Sequence, residues 1–362
     1  MPLLPLFLVR WLAPLLWPLR ALAARGWLRE AEIDAVLGCL HPAWRLNRVM
    51  ARVLGREWVS DDLLALRLRC NGNAHGWRAG QHVQLYLQLD GVRHGRSYSL
   101  TRVASGGTVE LGIRRQPGGR LSNRILDHLA VGAWVELGQA EGELHWPARA
   151  EGVGLLAAGS GITALLGLLR EALARGYAAP VTLLHYVREA GQRAYGEELQ
   201  QLMLRHPNLQ VRWLLTGEGA PVDAHGGRFH PGHLLGMSGF ALLACGPAGF
   251  VEAVRGCWGG ALQGEAFSPP RRVSEPGQAV RLGFARSRLE AWGDSARSLL
   301  EQAEAHGLRP AHGCRQGICA SCTCLLLGGA VRDLRNGETF AEPGQPIRLC
   351  ISAPLGDVHI DL

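Results

Sequence analysis

Hydrophobic and polar residues alternate in short runs between residues 46 and 148. The runs are "LLALRLR", "HVQLYLQLD", "RSYSLTRV", "TVELGIRR" and "AWVELGQA", and glycine-containing turns separate them. Alternation with a period of two predicts half-buried β-strands, and several such strands at this spacing are typical of an antiparallel barrel or sandwich. We therefore expect an antiparallel β-barrel domain over 46–148.

The pattern changes after residue 148. Continuous apolar runs, "VGLLAA", "VTLLHYV", "VRWLLT" and "FALLACGP", predict buried strands, while "ALLGLLREALARG" and "YGEELQQLMLRHP" predict helices. Strands that alternate with helices imply a parallel sheet of the doubly wound type. We expect this α/β domain over 149–268, then a proline-bearing linker, and a small α+β domain over 273–362.

The first 45 residues form an apolar, helical extension. Arg10 interrupts the apolar core that a secretory signal would need, and Pro14 and Pro18 disfavour a spanning helix. Two alternatives remain: residues 1–25 lie on a membrane surface, with their arginines towards lipid phosphates, or they pack on the protein itself. We expect a cytoplasmic protein, peripheral on the cytoplasmic face of the membrane in the first case.

The net charge is +7, and all 38 basic residues are arginine. Residues 273–362 hold nine Arg against ten acidic residues, so the excess of positive charge lies in the rest of the chain. A basic run, a zinc-finger spacing or an aromatic RNA-binding motif would indicate nucleic-acid binding, and the sequence has none of them. We expect the positive charge to serve cofactor phosphates or a membrane surface.

Four cysteines near the C-terminus have the spacing of a plant-type [2Fe–2S] site. Cys314, Cys319 and Cys322 form a C-x4-C-x2-C pattern, and Cys350 follows after 27 intervening residues. Structural zinc prefers paired short spacings on both sides, and disulfides are not expected without an export signal. We predict these four thiolates as iron ligands and Cys324 as a buried thiol that binds no metal.

A flavin site is predicted on the strand "GRSYSL". In this R-x-Y-S pattern Arg96 can pair with a cofactor phosphate, Tyr98 can stack on the isoalloxazine ring, and Ser99 can hydrogen-bond the flavin N5. Ser97 lies between them. The alternative is the ordinary solvated face of a strand.

Downstream, "PGGRLSN" predicts a glycine turn that enters a helix. Gly118 and Gly119 would let backbone amides approach a pyrophosphate, and Ser122 is expected to cap the helix N-terminus. An ordinary turn with a helix cap would give the same pattern, so the two motifs support a flavin site mainly through their order and spacing.

A nicotinamide site is predicted where apolar strands end in glycines. "GSGIT" places Gly159, Gly161 and Thr163 between a strand and a helix, where a dinucleotide diphosphate can approach closely. A second apolar strand ends in Cys245, Gly246 and Pro247 and would open the same edge of the sheet.

The residue after the strand "VTLLHYV" is Arg188, followed by Glu189. Arginine suits a 2′-phosphate and an acid suits an unmodified ribose, so we expect NADPH, with NADH as the alternative. His230 and His233, in "HPGH", are expected to be solvated loop histidines.

Taken together, the three sites resemble the ferredoxin–NADP reductase superfamily, in its branch with a C-terminal plant-type ferredoxin domain of β-grasp fold. "GICASCTCLLLGGAVRDLRNGE", "RLCISAPLGDVHIDL" and "HPAWRLN" are most similar to reductases that serve membrane fatty-acid (acyl-CoA) desaturases. The resemblance implies FAD rather than FMN, assistance to transfer at the flavin by Ser99, and a place beside the nicotinamide for Cys245. It also implies that Glu265 and Phe267, in "GEAF", lie close to the flavin.

The resemblance implies an electron path from NADPH to FAD, to the [2Fe–2S] cluster and out to an oxidative partner. The favoured partner is a membrane di-iron fatty-acid desaturase. The alternatives are a soluble oxygenase or hydroxylase, and a redox sensor without enzymatic activity. Two turns depart from the family pattern, with Ala164 and Ala79 at positions where proline is usual.

Overall fold

The computed structural model describes residues 6–89, 92–147, 150–223, 225–267, 277–313, 315, 317, 320–335 and 337–362. These residues form two compact units. The first comprises the described residues up to Gly246 together with Phe250–Glu265, and the second comprises Pro247–Gly249 and the described residues from Ala266 onward. The linker expected around 268–278 lies almost wholly outside the described residues.

The N-terminal segment belongs to the first unit and consists of short helices. Its helices are α1 (Leu6–Leu12), α2 (Trp17–Ala24) and α3 (Glu30–Leu40), with a 3₁₀ helix, Ala13–Leu16, between the first two. Leu16, Leu37 and Leu46 form a small buried cluster. Among the described helices, none is long and apolar enough to cross a membrane.

A closed barrel of six strands follows, in the order β1-β2-β5-β4-β3-β6, with antiparallel pairing. Leucines that alternate along a strand, such as Leu64, Leu66 and Leu68, fill its interior, which confirms the barrel predicted from the period-two pattern. The elements are β1 (Val49–Trp58), β2 (Leu63–Cys70), β3 (His82–Leu89), β4 (Val92–Ala104), β5 (Thr108–Arg114), α4 (Arg120–His128) and β6 (Trp134–Leu137).

The predicted α/β arrangement is also confirmed. Its five strands have the order β11-β10-β7-β8-β9, and the pairs from β10 to β9 are parallel. The ends of β7, β8 and β10 therefore meet at one edge of the sheet. The elements are β7 (Val153–Ala158), α5 (Ile162–Ala174), β8 (Val181–Val187), α6 (Gly196–Arg205), β9 (Leu209–Leu215), β10 (Ala241–Gly246), α7 (Ala248–Cys257) and β11 (Leu262–Ala266).

The second unit contains a mixed five-stranded sheet, in the order β13-β12-β19-β14-β17, and a three-stranded sheet, β16-β15-β18. Phe284, Leu299 and Ile360 lie in its buried core. Its main elements are β12 (Ala279–Phe284), β13 (Leu289–Asp294), α8 (Leu299–Ala305), β14 (Thr323–Gly328), β15 (Val331–Asp333), β16 (Thr339–Phe340), β17 (Pro346–Arg348), β18 (Ser352–Pro354) and β19 (Val358–Ile360).

A buried ion network joins the barrel to α5 and α6. Arg170 Nη1 donates to Glu110 Oε1 at 2.9 Å and to the Thr101 carbonyl at 2.8 Å, while its Nε donates to Glu198 Oε1 at 2.7 Å. Only 12 % of the Arg170 side chain and 10 % of the Glu110 side chain are exposed. The charges compensate each other, so removal of one partner leaves an unpaired buried charge.

We expect Arg170→Met to lower the free energy of unfolding by about 3 kcal/mol, because Glu110 would stay buried without its cation. Arg175→Met is the matched control, since Arg175 forms only an exposed i,i+4 pair with Glu171. Urea unfolding of both variants checks this. A loss no larger for the Arg170 variant than for the Arg175 variant would contradict the proposed importance of the network.

Candidate cofactor sites

The predicted flavin strand is the second half of β4. Arg96 is exposed, Ser97 and Tyr98 are half-buried, and Ser99 is buried. The Tyr98 hydroxyl is shielded from solvent, with no hydrogen-bond partner among the described residues, and burial raises the pKa of this phenol. Buried polar atoms are rarely left without a partner. Tyr98 therefore fits a bound group that offers a polar atom at this point, as a flavin cofactor does.

The turn "PGGRLSN" leads into α4 as expected, but the predicted cap is wrong. The N-cap residue is Gly119, and Ser122 is the third residue inside the helix. The helix begins at Arg120, the first residue of the predicted helical run, so Ser122 lies in its first turn instead of before it. Because glycine has no side chain, the first amides of α4 are left to other acceptors, and this suits a pyrophosphate.

The predicted dinucleotide turn and the end of β10 are in close contact. A Cβ atom on Gly161 would come within 1.9 Å of the Cys245 carbonyl oxygen, so only glycine is tolerated there. Gly161 is also the N-cap of α5, and the Thr163 hydroxyl donates to the Ser160 carbonyl at 2.8 Å. The structure thus brings together Gly159, Gly161 and Cys245, which the sequence placed more than eighty residues apart.

Three further predicted residues lie at the ends of parallel strands. Arg188 comes directly after β8 and is exposed, Gly246 ends β10, and Pro247 is the next residue along the chain. Burial, with a further contribution from Glu265, raises the pKa of the Cys245 thiol well above its ordinary value. The thiol is therefore neutral and can shape a pocket without acting as a base.

Helix α5 lies directly against the flavin strand. A Cβ atom on Gly167 would lie 2.5 Å from the Leu100 carbonyl oxygen, one residue after the R-x-Y-S motif. The backbone of the helix can approach β4 this closely only because residue 167 is glycine. The predicted flavin and nicotinamide sites are therefore built on two elements in contact.

Sequence reasoning missed one member of this region, His82. It is the first residue of β3, pairs with Ser99 in the strand register, and its Nδ1 lies 3.3 Å from Glu265 Oε1. Both side chains are largely buried. Glu265, which the resemblance to the reductase family had already placed close to the flavin, lies on β11, and Phe267 follows β11 in the second unit. Only the neighbouring "GQ" turn could have indicated His82, because a histidine that starts a strand has no distinctive pattern.

His185 forms a hydrogen bond with the backbone of the predicted dinucleotide turn. It is fully buried on β8, and its Nε2 lies 3.1 Å from the Gly159 carbonyl oxygen, to which the neutral ring donates. Burial lowers the pKa of His185 to about 4. This role could not be predicted from the sequence, since a polar residue within an apolar strand is compatible with many environments.

We expect the unit containing His185 to lose stability between pH 6.5 and 4. The unfolded histidine takes up a proton near pH 6.5, whereas the folded one resists it until about pH 4, so the stabilisation is present above 6.5 and is lost as the pH falls. The full loss is about 3 kcal/mol. Urea unfolding is measured at pH 7 and at pH 5, with the release of flavin as the signal. The free energy of unfolding should depend less on pH in His185→Gln than in His75→Gln, the control at an exposed position.

His233 corrects another expectation. Predicted as a solvated loop residue, it is 1 % exposed, and its Nδ1 lies 2.9 Å from the Tyr186 hydroxyl. Phe229 and Tyr186 contact its ring. A loop histidine is buried here because an aromatic cluster covers it, while His230 remains half-buried.

Two of the four predicted iron ligands lie next to each other. The Leu349 amide donates to the Cys322 carbonyl at 3.1 Å, which places Cys322, just before β14, beside Cys350, two residues after β17. Both thiols are buried. Cys314 and Cys319 lie outside the described residues. The pair fits a metal cluster held between a loop and a distant strand end.

The neighbouring loop is fixed to α8. Arg315 Nη1 donates to Glu304 Oε2 at 3.0 Å, and Arg315, Gly317 and Ala320 all have positive φ. Arg348 Nη1 donates to the Gly317 carbonyl. Cys324, expected to bind no metal, points into the core of the second unit.

A flavin barrel, a dinucleotide-binding sheet and a ferredoxin-like unit in this order define an oxidoreductase that transfers electrons. Family models agree: an oxidoreductase FAD-binding domain matches residues 50–146, an oxidoreductase NAD-binding domain 155–256, and a 2Fe-2S iron-sulfur cluster binding domain 286–355. The chain belongs to the ferredoxin–NADP reductase-like superfamily, among members with a 2Fe–2S ferredoxin domain, and its cofactors are FAD, NAD(P)H and a [2Fe–2S] cluster.

Two curated relatives and one solved structure illustrate the similarity. The chain is 31 % identical to an NADPH oxidoreductase of Mycobacterium tuberculosis, over 91 % of its own length and 88 % of the relative. It is 32 % identical to the beta subunit of a heme-dependent oxidative N-demethylase of Ectopseudomonas mendocina, covering 79 % and 90 %. Phthalate dioxygenase reductase shares the fold, with a TM-score of 0.59, 21 % identity, and 87 % and 98 % coverage.

Proposed function

We propose that this reductase passes electrons from NADPH, through FAD and the [2Fe–2S] cluster, to the iron centre of a separate oxygenase component. The observation that carries the proposal is the match to the beta subunit of a heme-dependent oxidative N-demethylase over 90 % of that subunit. A subunit matched over nearly its whole length by one electron-transfer chain leaves the oxidative chemistry to another chain. The membrane fatty-acid desaturase favoured by the C-terminal segments is named in neither relative and stays a prediction.

The proposed cofactor contacts combine the sequence motifs with the positions of the described residues. FAD would be held by the second half of β4 and by the start of α4: Arg96, Ser97, Tyr98, Ser99, Gly118, Gly119 and Ser122. NADPH would lie at the carboxyl edge of the parallel sheet, near Gly159, Gly161, Thr163, Arg188, Cys245, Gly246 and Pro247. Glu265 and Phe267 would complete the flavin surroundings, and Cys314, Cys319, Cys322 and Cys350 would bind the cluster.

Bound flavin supplies the chemistry that converts a hydride into single electrons, and the protein supplies orientation and electrostatics. Ser99 would hydrogen-bond at the reacting edge of the flavin. His82, held at 3.3 Å from Glu265, lies opposite Ser99 and would fix the position of this strand end. The neutral Cys245 thiol would exclude water beside the nicotinamide. Arg188 favours NADPH, because a guanidinium suits a 2′-phosphate.

Anaerobic titration with NADPH and, separately, with NADH tests the internal path. We expect the flavin absorbance to bleach and the EPR signal of a reduced [2Fe–2S] cluster to grow, at lower concentrations of NADPH than of NADH. Flavin bleaching without a cluster signal would contradict the path, and equal responses to both nucleotides would contradict the role of Arg188.

The acceptor is tested by adding the reductase and NADPH to fractions of the native cell. Oxygen consumption that rises in the membrane-free fraction supports an oxygenase partner. A rise confined to the membrane fraction contradicts it and supports the desaturase. A protein without its cluster, made by replacing Cys350, serves as the control for electrons that leave directly from the flavin.

A further inference from the structure

The N-terminal helices carry two sets of apolar side chains, of which the described residues bury one and leave the other exposed. On the inner side Val9 and Leu16 are buried. Arg10 donates to the Gly106 carbonyl, and Arg20 donates to the Leu46 carbonyl and to Asn73 Oδ1, both at 2.9 Å. These contacts fix the segment to the barrel, so its outer side has a defined orientation relative to the first unit.

The outer side, which we call the tryptophan face, consists of Trp11, Leu15, Trp17 and Trp27. Each of these side chains is 67–74 % exposed, although they are among the most apolar residues in the chain. Trp11 lies in α1, Leu15 in the 3₁₀ helix that follows, Trp17 at the start of α2, and Trp27 three residues after the end of α2. Exposed large apolar groups concentrated in one segment mark an interaction surface.

The charged residues near this face are mainly arginines, which indicates an anionic partner. The first 29 residues contain four arginines and no acidic residue. Arg10 and Arg20 are used on the inner side, while Arg25 and Arg29 are exposed next to Trp27 in sequence, with Arg29 3.6 Å from the exposed Glu32. Tryptophan beside arginine is the composition of segments that lie in the headgroup region of a bilayer.

We propose that the tryptophan face binds the surface of a bilayer that contains anionic phospholipid, with Trp11, Trp17 and Trp27 in the interface and Arg25 and Arg29 at the phosphates. A second copy of the chain fits less well, because a two-fold contact would bring the same cationic rims together. The segment lies on the membrane without crossing it. This inference goes beyond the proposed function, since electron transfer within the chain needs no lipid.

Co-sedimentation of the full-length holoprotein with vesicles tests the proposal. The vesicles consist of phosphatidylcholine alone or of phosphatidylcholine mixed with phosphatidylglycerol. We expect binding to the mixed vesicles only. The triple variant Trp11→Gln, Trp17→Gln, Trp27→Gln should partition at least about tenfold more weakly. In the double variant Arg25→Gln, Arg29→Gln, the affinity for the mixed vesicles should fall about fivefold for each arginine replaced.

Trp292→Gln is the matched control, because Trp292 is 63 % exposed but lies in the second unit, and it should bind like the parent. Brominated lipid should quench the tryptophan fluorescence of the parent and of this control more than that of the triple variant. Equal binding by the triple variant, or no binding of the parent to either vesicle, would overturn the proposal. The proposal would also be overturned if the parent formed a dimer, bound no vesicles, and the triple variant were monomeric, because the tryptophan face would then be a contact between two copies. NADPH-driven flavin reduction in solution reports separately on the proposed function.

Discussion

Replacement of Cys350 by serine is expected to abolish the EPR signal of the reduced [2Fe–2S] cluster while flavin reduction by NADPH continues. Cys350 is buried beside Cys322, and the proposed cluster needs a thiolate from each of them. Loss of one ligand should therefore stop electrons after the flavin. Reduction of cytochrome c, which draws on the cluster, should fall to background. Reduction of ferricyanide, which accepts electrons from flavin, should persist.

Cys324→Ser provides the matched control. Cys324 is as deeply buried as Cys350, lies two residues after Cys322, and belongs to the same buried core cluster as both of them. Its Sγ lies 3.7 Å from the Leu325 carbonyl oxygen, and the plant-type spacing of four cysteines is complete without it. This variant should keep the cluster signal. If it loses the signal while Cys350→Ser keeps it, the ligand assignment is wrong. If both keep it, the cluster is bound elsewhere.

The second large effect is expected from Glu265→Gln. Glu265 Oε1 lies 3.3 Å from His82 Nδ1, and the same carboxylate contributes to the raised pKa of the Cys245 thiol. A carboxylate is therefore held between a barrel strand end and the end of β10. An electrostatic group fixed at a reaction site is commonly worth a factor of about 100 in rate. We expect flavin reduction by saturating NADPH to slow by about 100-fold in stopped-flow measurements, with little change in the apparent affinity for NADPH.

Glu252→Gln, at an exposed position on α7, should leave this rate unchanged. His82→Asn keeps a polar side chain but shortens its reach to Glu265, and should slow the reaction in the same direction. The flavin reduction potential, measured in all three variants, separates the explanations. A slower rate with an unchanged potential indicates a role in orienting the reaction. A rate within twofold of the parent for Glu265→Gln would contradict any role of the pair.

The sequence predicted what depends on local periodicity and on short motifs. The barrel strands, the parallel strands and the glycine turn before α5 were all visible as patterns, because burial imposes a period of two or a continuous apolar run. The spacing of the cysteines pointed to the cluster for a similar reason, since three ligands come from one loop. Each of these features is determined by a segment of a few tens of residues.

What the sequence could not predict depends on contacts between distant segments. His82 and Glu265 are 183 positions apart and meet only because β3 and β11 converge. Arg170 could be recognised as a charged helix residue, but its burial between Glu110 and Glu198 requires the barrel and the helices to be packed. Ser122 was wrongly predicted to be the N-cap of α4, because the N-cap position and the first turn of a helix look alike in sequence.

The contact between Gly167 and Leu100 has a consequence for the construction of chimeric reductases. Where residue 167 meets residue 100, the helix backbone rests on the strand backbone, so there is no side chain at that point to adjust to a foreign partner. The Arg170 network also requires matching charges on both sides. The barrel and the dinucleotide sheet should therefore be exchanged between relatives as one block. A change of nucleotide preference is better sought by substitutions at the exposed edge of the sheet, around Arg188, than by grafting the sheet alone.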